Sequence, residues 1–453
     1  MTDLPVSLLS GWGRYTPVSC RVANPASRSA LLSLISESSG QNIIARGMGR
    51  SYGDSAVREG GVVVEQEFLN RFLSFDEQTG LLHCEAGVTL EQIIDFALPR
   101  GWFLPTTPGT KFVTVGGAIA ADVHGKNHHR DGCFGAWIRE LTLLLSDGRA
   151  VTCSPEQDPE AFWATIGGMG LTGFIQDARI QLRPCQSAWY HVSYRRCADL
   201  DAVLSTLAET DAKYRYSVGW IDCLAKGSRL GRTVLMLAND PDPADLPASL
   251  RNSPLSAPRA RHLTVPFDFP SWALNPASVM LFNRAYYLRQ QNRDSLEHYD
   301  KFFYPLDSIN HWNRIYGRRG FIQYQALFPD ATAPEGLRCV LETLSSYGLA
   351  SFLAVIKRSG PSNPSPLSFL FKGYTLALDI PNVGPRLLEM TRKLDEILLA
   401  RGGRLYLAKD SVMDAATFSA MYPRKAEFLS VKKRLDPENR FVSDQARRLG
   451  LVP

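Results

Sequence analysis

A short basic segment holds several side chains that can accept or donate a proton. His124, Lys126, His128 and His129 lie close together in the sequence. Imidazole and amine groups can remove the proton of a substrate hydroxyl, so this segment is a candidate part of an active site. It could also be an exposed polar loop, or contain one core histidine with solvated neighbours. Without carboxylate or cysteine partners for these histidines, no metal site is expected.

Three glycine-rich segments could bind an anion through the main chain. The first, residues 47–53, reads GMGRSYG and follows a strand predicted at 43–45. Glycines let successive backbone N–H groups turn toward one point and form a concave anion site. The segment could also be a tight turn. It lacks the Gly-Lys-Ser/Thr of a Walker A loop, and no helix pattern follows it as a Rossmann fingerprint requires.

The other two segments favour a shared ligand. Residues 105–110 read PTTPGT and lead to VTVGGAIAAD at 113–122, where Thr114 could cap a short helix whose N-terminus faces an anion. Residues 167–175 read GGMGLTGFI and are similarly poor in large side chains. Three such segments in one region are hard to explain as turns. They suit one elongated ligand with a diphosphate at one end and a flat ring at the other.

Alternating helix and strand patterns must position these segments. Asn24-Pro25 predicts a helix start, and Thr89 with Gln92 predicts a capping box for a helix that ends at Gly101. Residues 141–152 read as a hairpin. From about 187 the pattern becomes α+β, with strands predicted at 214–221, 233–237, 321–327 and 374–379 and helices at 200–207, 337–344 and 387–399. The proline-rich stretch 252–300 shows no clear periodicity, so long or mobile loops are predicted there.

Composition narrows the class of protein. The 453 residues are 45% hydrophobic and 21% charged, which is typical of a globular protein of two or three domains. Lys+Arg 50 against Asp+Glu 45 gives a net charge of +5, too small and scattered to predict nucleic-acid binding. Eight dispersed cysteines without a Cys-x-x-Cys pair predict buried thiols in a reducing compartment. The beginning does not read as a signal peptide and no run of 18 apolar residues occurs, so we expect a cytoplasmic protein.

Four motifs carry a family resemblance: RGMGRSYGD at 46–54, PGT followed by VGGAIA at 108–120, HGKNHH at 124–129 and GLTG at 170–173. Together they resemble the FAD-binding domain of the vanillyl-alcohol-oxidase/p-cresol-methylhydroxylase superfamily. Within it, the whole chain is similar to oxidases that act on a polyprenylphosphoryl-β-D-ribose. The resemblance implies an α+β fold with an FAD-binding domain of residues 1–186, completed by 404–453. A substrate domain with an antiparallel sheet would span 187–403.

The resemblance also implies which residues bind FAD. Those for the pyrophosphate are Gly47, Met48, Gly49, Arg50, Ser51 and Tyr52. Those for the isoalloxazine and ribityl portion are Pro108, Gly109, Thr110, Gly116, Gly117, Ala121, His124 and Gly125. Gly173 and Ile175 would lie on the adenosine side, and Gly168 would also contact FAD. Tyr406, Ala408 and Lys409 would close the site from the C-terminal segment.

Catalysis is expected from Lys409, His124 and Lys126. A flavin dehydrogenase needs a base for the hydroxyl proton and a positive group where charge accumulates on reduction, and Lys409 could supply either. From the residues alone a solvated lysine in a surface turn is the favoured interpretation, and the resemblance reverses it. The substrate contacts implied are Lys126, Trp220, Gln323, Gln325, Lys357, Thr375 and Ala377. The two glutamines share one strand face, which could also face solvent, and Trp220 could be a core aromatic.

Two departures from the family pattern matter. Many superfamily members attach FAD covalently through a histidine beside the first glycine segment, and here that position is Arg50, so a non-covalent, dissociable FAD is predicted. Mycobacterial members have a cysteine where this chain has Ala377 and an asparagine where it has Thr375. Inhibitors that trap that thiol are therefore not expected to bond covalently here. The lipid chain length and the exact sugar contacts stay open.

The predicted function is FAD-dependent oxidation of the 2-hydroxyl of a polyprenyl-phosphoryl-β-D-ribose to the 2-keto sugar. A separate NAD(P)H-dependent keto-sugar reductase would then complete the epimerisation to the D-arabinose donor. Because the substrate is a lipid, peripheral contact at the inner membrane face is expected, through residues 252–300 or the basic segment 424–448. Two alternatives remain: a soluble alditol or aldonolactone oxidase, and a catalytically silent FAD- or sugar-binding subunit.

Overall fold

The structure is a computed structural model that describes residues 4–256, 262–270, 274–349 and 353–452. The strands up to residue 184 are β1 (Val6–Leu9), β2 (Val18–Ala23), β3 (Ile43–Arg46), β4 (Val62–Glu65), β5 (Phe72–Phe75), β6 (Leu81–Glu85), β7 (Trp102–Phe103), β8 (Ile138–Leu144), β9 (Ala150–Cys153), β10 (Phe174–Gln181) and β11 (Arg183–Pro184). The helices of this part are α1 (Arg28–Glu37), α2 (Leu90–Ala97), α3 (Val115–Ala120), α4 (His128–Asp131) and α5 (Pro159–Thr165).

The rest of the chain continues the alternation of helices and strands. Its strands are β12 (Trp189–Cys197), β13 (Tyr216–Ile221), β14 (Thr233–Asn239), β15 (Leu263–Thr264), β16 (Arg293–His298), β17 (Ile309–Asn310), β18 (Phe321–Pro329), β19 (Ala354–Ser359), β20 (Gly373–Pro381) and β21 (Arg404–Leu405). Its helices are α6 (Leu200–Thr210), α7 (Ala248–Arg251), α8 (Pro276–Arg289), α9 (Tyr299–Phe303), α10 (Ala333–Tyr347), α11 (Pro385–Leu399), α12 (Ala415–Met421), α13 (Lys425–Leu435) and α14 (Asp444–Arg448).

Local capping explains where the first helices begin. The predicted capping box of α2 is confirmed, because the Thr89 side chain accepts from the Gln92 amide and the Gln92 side chain accepts from the Thr89 amide. The helix start predicted at Asn24-Pro25 is wrong. Helix α1 begins at Arg28, because the Ser27 hydroxyl accepts a hydrogen bond from the third amide after it.

Two small sheets carry the first and the third glycine-rich segments. In the sheet β1-β2-β4-β3, strand β3 runs parallel to β4 and leads directly into residues 47–53. In the antiparallel sheet β5-β6-β10-β8-β9, strand β10 begins directly after Gly173. The predicted hairpin at 141–152 is confirmed as β8 and β9, with Leu144 opposite Ala150.

An eight-stranded antiparallel sheet forms the other large element, in the order β16-β12-β14-β13-β19-β20-β18-β21. This confirms the antiparallel sheet and the α+β class. Helices α6, α10 and α11 pack on one face of the sheet, where Tyr324 donates a hydrogen bond to Asp395 of α11. Because side chains alternate along a strand, Gln323 and Gln325 on either side of Tyr324 lie on the opposite face.

The loops predicted for 252–300 are wrong for much of that stretch, although residues 257–261 and 271–273 lie outside the described residues. Helix α8 and strand β16 occupy 276–289 and 293–298. The helix has an Asn275 cap and proline at its first position. Its apolar residues surround the helix, with Val279 buried and Leu281 70% exposed, so no single apolar stripe signals it in the sequence.

Basic side chains of the segment 424–448 are largely engaged within the protein. Arg434 pairs with Asp158, and Arg448 pairs with Asp54. Lys432 is 1% exposed and donates to Asp436 and to two main-chain carbonyls. The segment 424–448, one of the two predicted membrane contacts, therefore has few charged side chains left to contact a membrane. Within the described ranges, no helix combines the length and apolar character needed to cross a membrane.

Candidate active site

A cavity of about 1010 Å³ lies between the three glycine-rich segments, the C-terminal return of the chain and the open face of the eight-stranded sheet. The residues predicted to contact cofactor or substrate line this cavity, with two exceptions. Gly168 does not reach it: an added Cβ there would lie 2.1 Å from the Ala164 carbonyl oxygen, so this glycine serves close packing on α5. Thr375 is buried directly opposite Lys357 on the neighbouring strand and does not line the cavity.

The first glycine-rich segment presents its main chain to the cavity. Within the described part of the chain, the amides of residues 48–51 donate no hydrogen bond to a protein acceptor. Gly49 has φ +61°, a conformation that favours glycine. A Cβ at Gly47 would lie 2.3 Å from the Thr114 hydroxyl, which holds this segment directly against the second one. Successive unpaired amides at one end of a cavity form an anion site.

The second segment forms the predicted capped helix. Thr114 accepts from the Gly117 amide at the start of α3. Gly116 packs against Ala86, where an added Cβ would approach the alanine methyl to 3.0 Å. At Gly109 an added Cβ would meet nothing within 4 Å, so its backbone borders open cavity. The segment therefore forms a wall of main chain rather than side chains.

The C-terminal segment closes the same cavity. The Ala408 carbonyl accepts from the Tyr52 amide at 3.0 Å, and the Tyr406 hydroxyl donates to the Ala121 carbonyl at 2.6 Å. Lys409 follows directly, with its Nζ 3.9 Å from the centre of the Tyr52 ring. These contacts bring Lys409 together with the first and second glycine-rich segments, which are far away in the sequence.

His124 is held as a neutral imidazole. Its Nε2 lies 2.9 Å from the Gln325 amide nitrogen, and its ring packs 5.0 Å from that of Tyr406. Burial, reinforced by the charges of Lys357 and His128, holds the pKa of His124 well below its ordinary value. With Gln325 donating to Nε2, the ring proton lies on Nδ1, for which the described residues provide no hydrogen-bond partner. A buried donor of this kind indicates a ligand acceptor.

Three partly buried lysines converge on the cavity. Burial lowers the pKa of Lys357 to about 8 and, with the charge of Lys357, that of Lys126 to about 7. Lys126 donates to the main-chain carbonyls of Phe302 and Phe303. Burial also lowers the pKa of Lys409, against the opposing effect of Asp379. Lowered pKa values mean that these amines titrate near neutral pH, and a bound anion would favour their charged forms.

Asp379 is a site residue that the sequence analysis missed. It lies opposite Gln323 on the neighbouring strand, is 0% exposed and accepts a hydrogen bond from the Gln323 amide. Burial raises its pKa, while the Gln323 hydrogen bond and the charge of Lys409 act in the other direction. The only sign of this residue in the sequence was a single carboxyl within an otherwise apolar strand.

The open face of the large sheet changes from polar to apolar across its strands. Gln323 and Gln325 on β18 and Lys357 on β19 lie at one end of the cavity. Val218 and Trp220 on β13, then Met236 on β14, continue the lining away from them. Since sheet order runs β18, β20, β19, β13, β14, the polar and apolar parts are separated in space. The cavity is therefore shaped for an amphiphilic ligand.

The residues present fit FAD. A row of unpaired amides suits the diphosphate, walls of bare main chain suit a flat ring, and the His124 donor suits one of its acceptors. The volume is at the upper end of the range of about 300–1,000 Å³ that is usual for ligand pockets. That leaves room for a substrate beside the cofactor.

Comparison with known proteins agrees with this geometry. Residues 20–154 match the FAD binding domain family, and residues 377–449 match the D-arabinono-1,4-lactone oxidase family. The fold and the site define an FAD-dependent oxidoreductase of the vanillyl-alcohol-oxidase/p-cresol-methylhydroxylase type that acts on CH–OH donors.

Similar proteins narrow the class of oxidoreductase to a family. The decaprenylphosphoryl-β-D-ribose oxidase of Mycolicibacterium smegmatis is 38% identical over 100% of this chain and 99% of its own length. The chain belongs to the family of that oxidase. An L-gulono-1,4-lactone dehydrogenase of Mycobacterium tuberculosis is 22% identical over 97% of this chain and 98% of its own. Cytokinin dehydrogenase 4 of Arabidopsis thaliana is 29% identical over 34% of this chain.

Proposed function

We propose that this chain oxidises the 2-hydroxyl of a polyprenyl-phosphoryl-β-D-ribose to the 2-keto sugar. The observation that carries the proposal is the polarity gradient of the cavity. A sugar phosphate finds amides and amines at the end next to the FAD cradle, and a hydrocarbon chain finds the Val218, Trp220 and Met236 side chains beyond it. The full-length similarity to an oxidase of decaprenylphosphoryl-β-D-ribose supports the same substrate class.

We assign recognition of the phosphodiester and sugar to the polar end. Lys357, whose pKa burial lowers to about 8, gains a favourable partner when an anion enters, which restores its full charge. Lys126 is held in place by its hydrogen bonds to two carbonyls, and because its pKa is lowered to about 7, a bound anion would favour its charged form. Gln325 both orients His124 and borders the cavity, so it can hold a sugar hydroxyl in register.

Lys409 is the proposed base. Its lowered pKa leaves much of the amine neutral near pH 7, so Nζ can take the proton of the 2-hydroxyl. When bound, FAD supplies the acceptor for the hydride that leaves carbon 2. The positive charge that forms on Lys409 is then balanced by buried Asp379. His124 donates from Nδ1 to the cavity and remains neutral throughout, since burial disfavours its imidazolium.

The FAD is proposed to be held without a covalent bond. The position used for a histidyl link in the superfamily is Arg50, whose guanidinium lies 4.4 Å from the Trp12 ring centre and donates to the Met48 carbonyl. Folded back on its own segment, this side chain adds positive charge beside the unpaired amides. We assign FAD binding to residues 1–186 with 404–453, and substrate binding to 187–403.

Two partners follow from the proposed chemistry. The 2-keto product must be reduced from the opposite face to invert the carbinol, which calls for an NAD(P)H-dependent keto-sugar reductase. The lipid substrate calls for peripheral contact with the inner face of the cytoplasmic membrane. Helix α8 is the favoured surface, because it exposes Met280, Leu281 and Leu288 and contains arginines but no acidic residue. Sedimentation with anionic vesicles checks this: Leu281→Asp should abolish it, and an unchanged variant would exclude α8.

A soluble aldonolactone oxidase is the second candidate, favoured by the match of residues 377–449 to the D-arabinono-1,4-lactone oxidase family. The deciding experiment is anaerobic mixing of the FAD-loaded protein with farnesylphosphoryl-β-D-ribose, an aldonolactone or xylitol, while the flavin absorbance is followed. The proposal expects bleaching only with the prenylphosphoryl ribose. Bleaching by the lactone or by xylitol, and not by the lipid sugar, would favour the second candidate, and no bleaching by any of them would favour a silent binding subunit.

A further inference from the structure

The cavity extends along the open face of the large sheet, away from the glycine-rich segments. Its floor includes residues of β18 at one end and Arg293 and Glu297 of β16 at the other. Six neighbouring-strand steps separate β18 from β16 in the sheet. At about 4.8 Å a step, the floor runs for about 29 Å. We call the part over β13, β14 and β12, beneath helix α8, the apolar arm.

Apolar and aromatic side chains build the arm from both sides. Val218 and Met236 are cross-strand partners on its floor. Val279, Phe282 and Tyr286 of α8 form its roof, at a spacing that places them on one helix face. The Tyr286 ring lies 4.5 Å from that of Trp220, which joins roof and floor.

The charged side chains at the far end of the arm already contact one another or Tyr194. Glu297 already accepts from Tyr194 at 3.0 Å and from Lys301 at 2.8 Å. Arg293 stacks over the Tyr194 ring at 4.9 Å. An open, apolar passage contrasts with the close packing of protein interiors, and such openings are typical of ligand sites.

We propose that the apolar arm binds the first isoprene units of the lipid carrier, a proposal that rests on the proposed function. The polar end fixes the sugar beside FAD, so the hydrocarbon must leave along the arm. A long polyprenyl chain exceeds the arm, and its remainder emerges beside α8, whose outer face exposes Met280 and Leu288. The arm therefore recognises a prenyl chain by its first isoprene units, and the total length of the chain does not affect binding.

Substrates of graded tail length test the arm. The FAD-loaded protein is given phosphoryl-β-D-ribose esters with one, two, three or four prenyl units, and kcat/KM is measured for each. We expect a rise of about tenfold or more for each of the first two units, followed by a plateau once the tail fills the arm. Equal values for all tails would overturn the proposal.

Variants of helix α8 test whether the dependence of kcat/KM on tail length arises in the apolar arm. Val279→Trp fills the arm, so the ratio of kcat/KM for the longest and shortest tails should fall toward one. Ala285→Trp adds the same side chain on the exposed side of the helix and should keep the wild-type ratio. If Val279→Trp loses FAD or unfolds, Phe282→Ser shortens the roof without adding volume and should lower the ratio about tenfold. A wild-type ratio in a folded Val279→Trp or in Phe282→Ser would overturn the proposal.

Farnesyl phosphate separates this proposal from the function on which it rests. The probe carries tail and phosphate without ribose, and its binding is measured by calorimetry. It should bind the wild type and Ala285→Trp, and at least about tenfold more weakly to Val279→Trp or Phe282→Ser. Such binding without oxidation of any ribosyl ester would refute the proposed function and support the arm. Oxidation without tail or variant dependence would refute the arm alone.

Discussion

Replacing Asp379 by Asn is expected to move the pH dependence of substrate oxidation to lower pH. Lys409 must be neutral to accept the hydroxyl proton, so the rate falls as pH drops through its pKa. The groups that face Lys409 are the Tyr52 ring, Lys357, whose charge lowers the lysine pKa, and Asp379, whose charge raises it. Removing the carboxylate therefore lowers the pKa of Lys409 further and extends the active range toward acid.

The magnitude follows from the charge interaction between Lys409 and Asp379. Burial lowers the pKa of Lys409 to about 7, so its neutral fraction rises about tenfold between pH 6 and pH 8 and then levels off. A lysine with an ordinary pKa of about 10.4 would give about a hundredfold rise over the same interval, without a plateau. A partner charge at about 4–12 Å contributes about 1–4 kcal/mol at an effective dielectric of about 20, which is about one to three pKa units for a fully ionised Asp379. Burial raises the pKa of Asp379 to about 7, so this carboxyl is ionised over only part of the acid limb, and the limb should move by about one pH unit.

The assay is stopped-flow flavin reduction under anaerobic conditions, with kcat/KM for farnesylphosphoryl ribose measured across pH 5–9. Asp395→Asn is the matched control, because burial also raises the pKa of Asp395 to about 7, but this carboxyl lies on the helix-covered face of the sheet. Its acid limb should stay in place. Lys409→Met should lose about 10²–10⁴ in rate and keep its FAD absorbance. An Asp379→Asn limb that is unmoved, or displaced to higher pH, would refute the assignment of Lys409 as the base.

Four other outcomes test separate parts of the molecule. Gly47→Ala places a Cβ 2.3 Å from the Thr114 hydroxyl, so FAD affinity should fall about tenfold or more, as flavin fluorescence on dilution would show. Lys432→Met leaves Asp436 buried without its cationic partner, although two main-chain amides still donate to it, which should cost about 3–5 kcal/mol of unfolding free energy in urea titrations. Heat-denatured protein should release all its yellow chromophore, and Ala377→Cys should gain a cavity thiol that nitro-aromatic inhibitors label covalently while the parent chain stays unlabelled.

Local signals in the sequence predicted much of this molecule. The Thr89 capping box, the hairpin at 141–152 and the Thr114 cap of α3 depend on residues a few positions apart, and the structure contains all three. The glycine-rich segments were recognisable because so many glycines close together in a sequence usually mean that the main chain itself contacts a ligand. That the three segments lie together in space was inferred only from the expectation that they all bind one elongated ligand.

Features that depend on distant partners were not predictable in this way. Asp379 matters because of Gln323 on another strand and Lys409 from the C-terminal segment, and neither neighbour is close in sequence. Gly168 belongs to a glycine-rich segment but serves packing against α5, and composition cannot separate the two uses. Helix α8 was not predicted because it directs apolar side chains both into the cavity and outward. Its sequence therefore lacks the usual amphipathic period of a helix.

The most direct test of the central claim is the position of the hydrogen that leaves the substrate. Farnesylphosphoryl ribose deuterated at carbon 1, 2 or 3 is mixed anaerobically with the FAD-loaded protein, and the rate of flavin bleaching is compared with that for the unlabelled compound. A primary isotope effect with the carbon-2 label, and none with the other two, is the predicted result. Bleaching that is insensitive to the carbon-2 label, or slowed by a label elsewhere, would contradict the account.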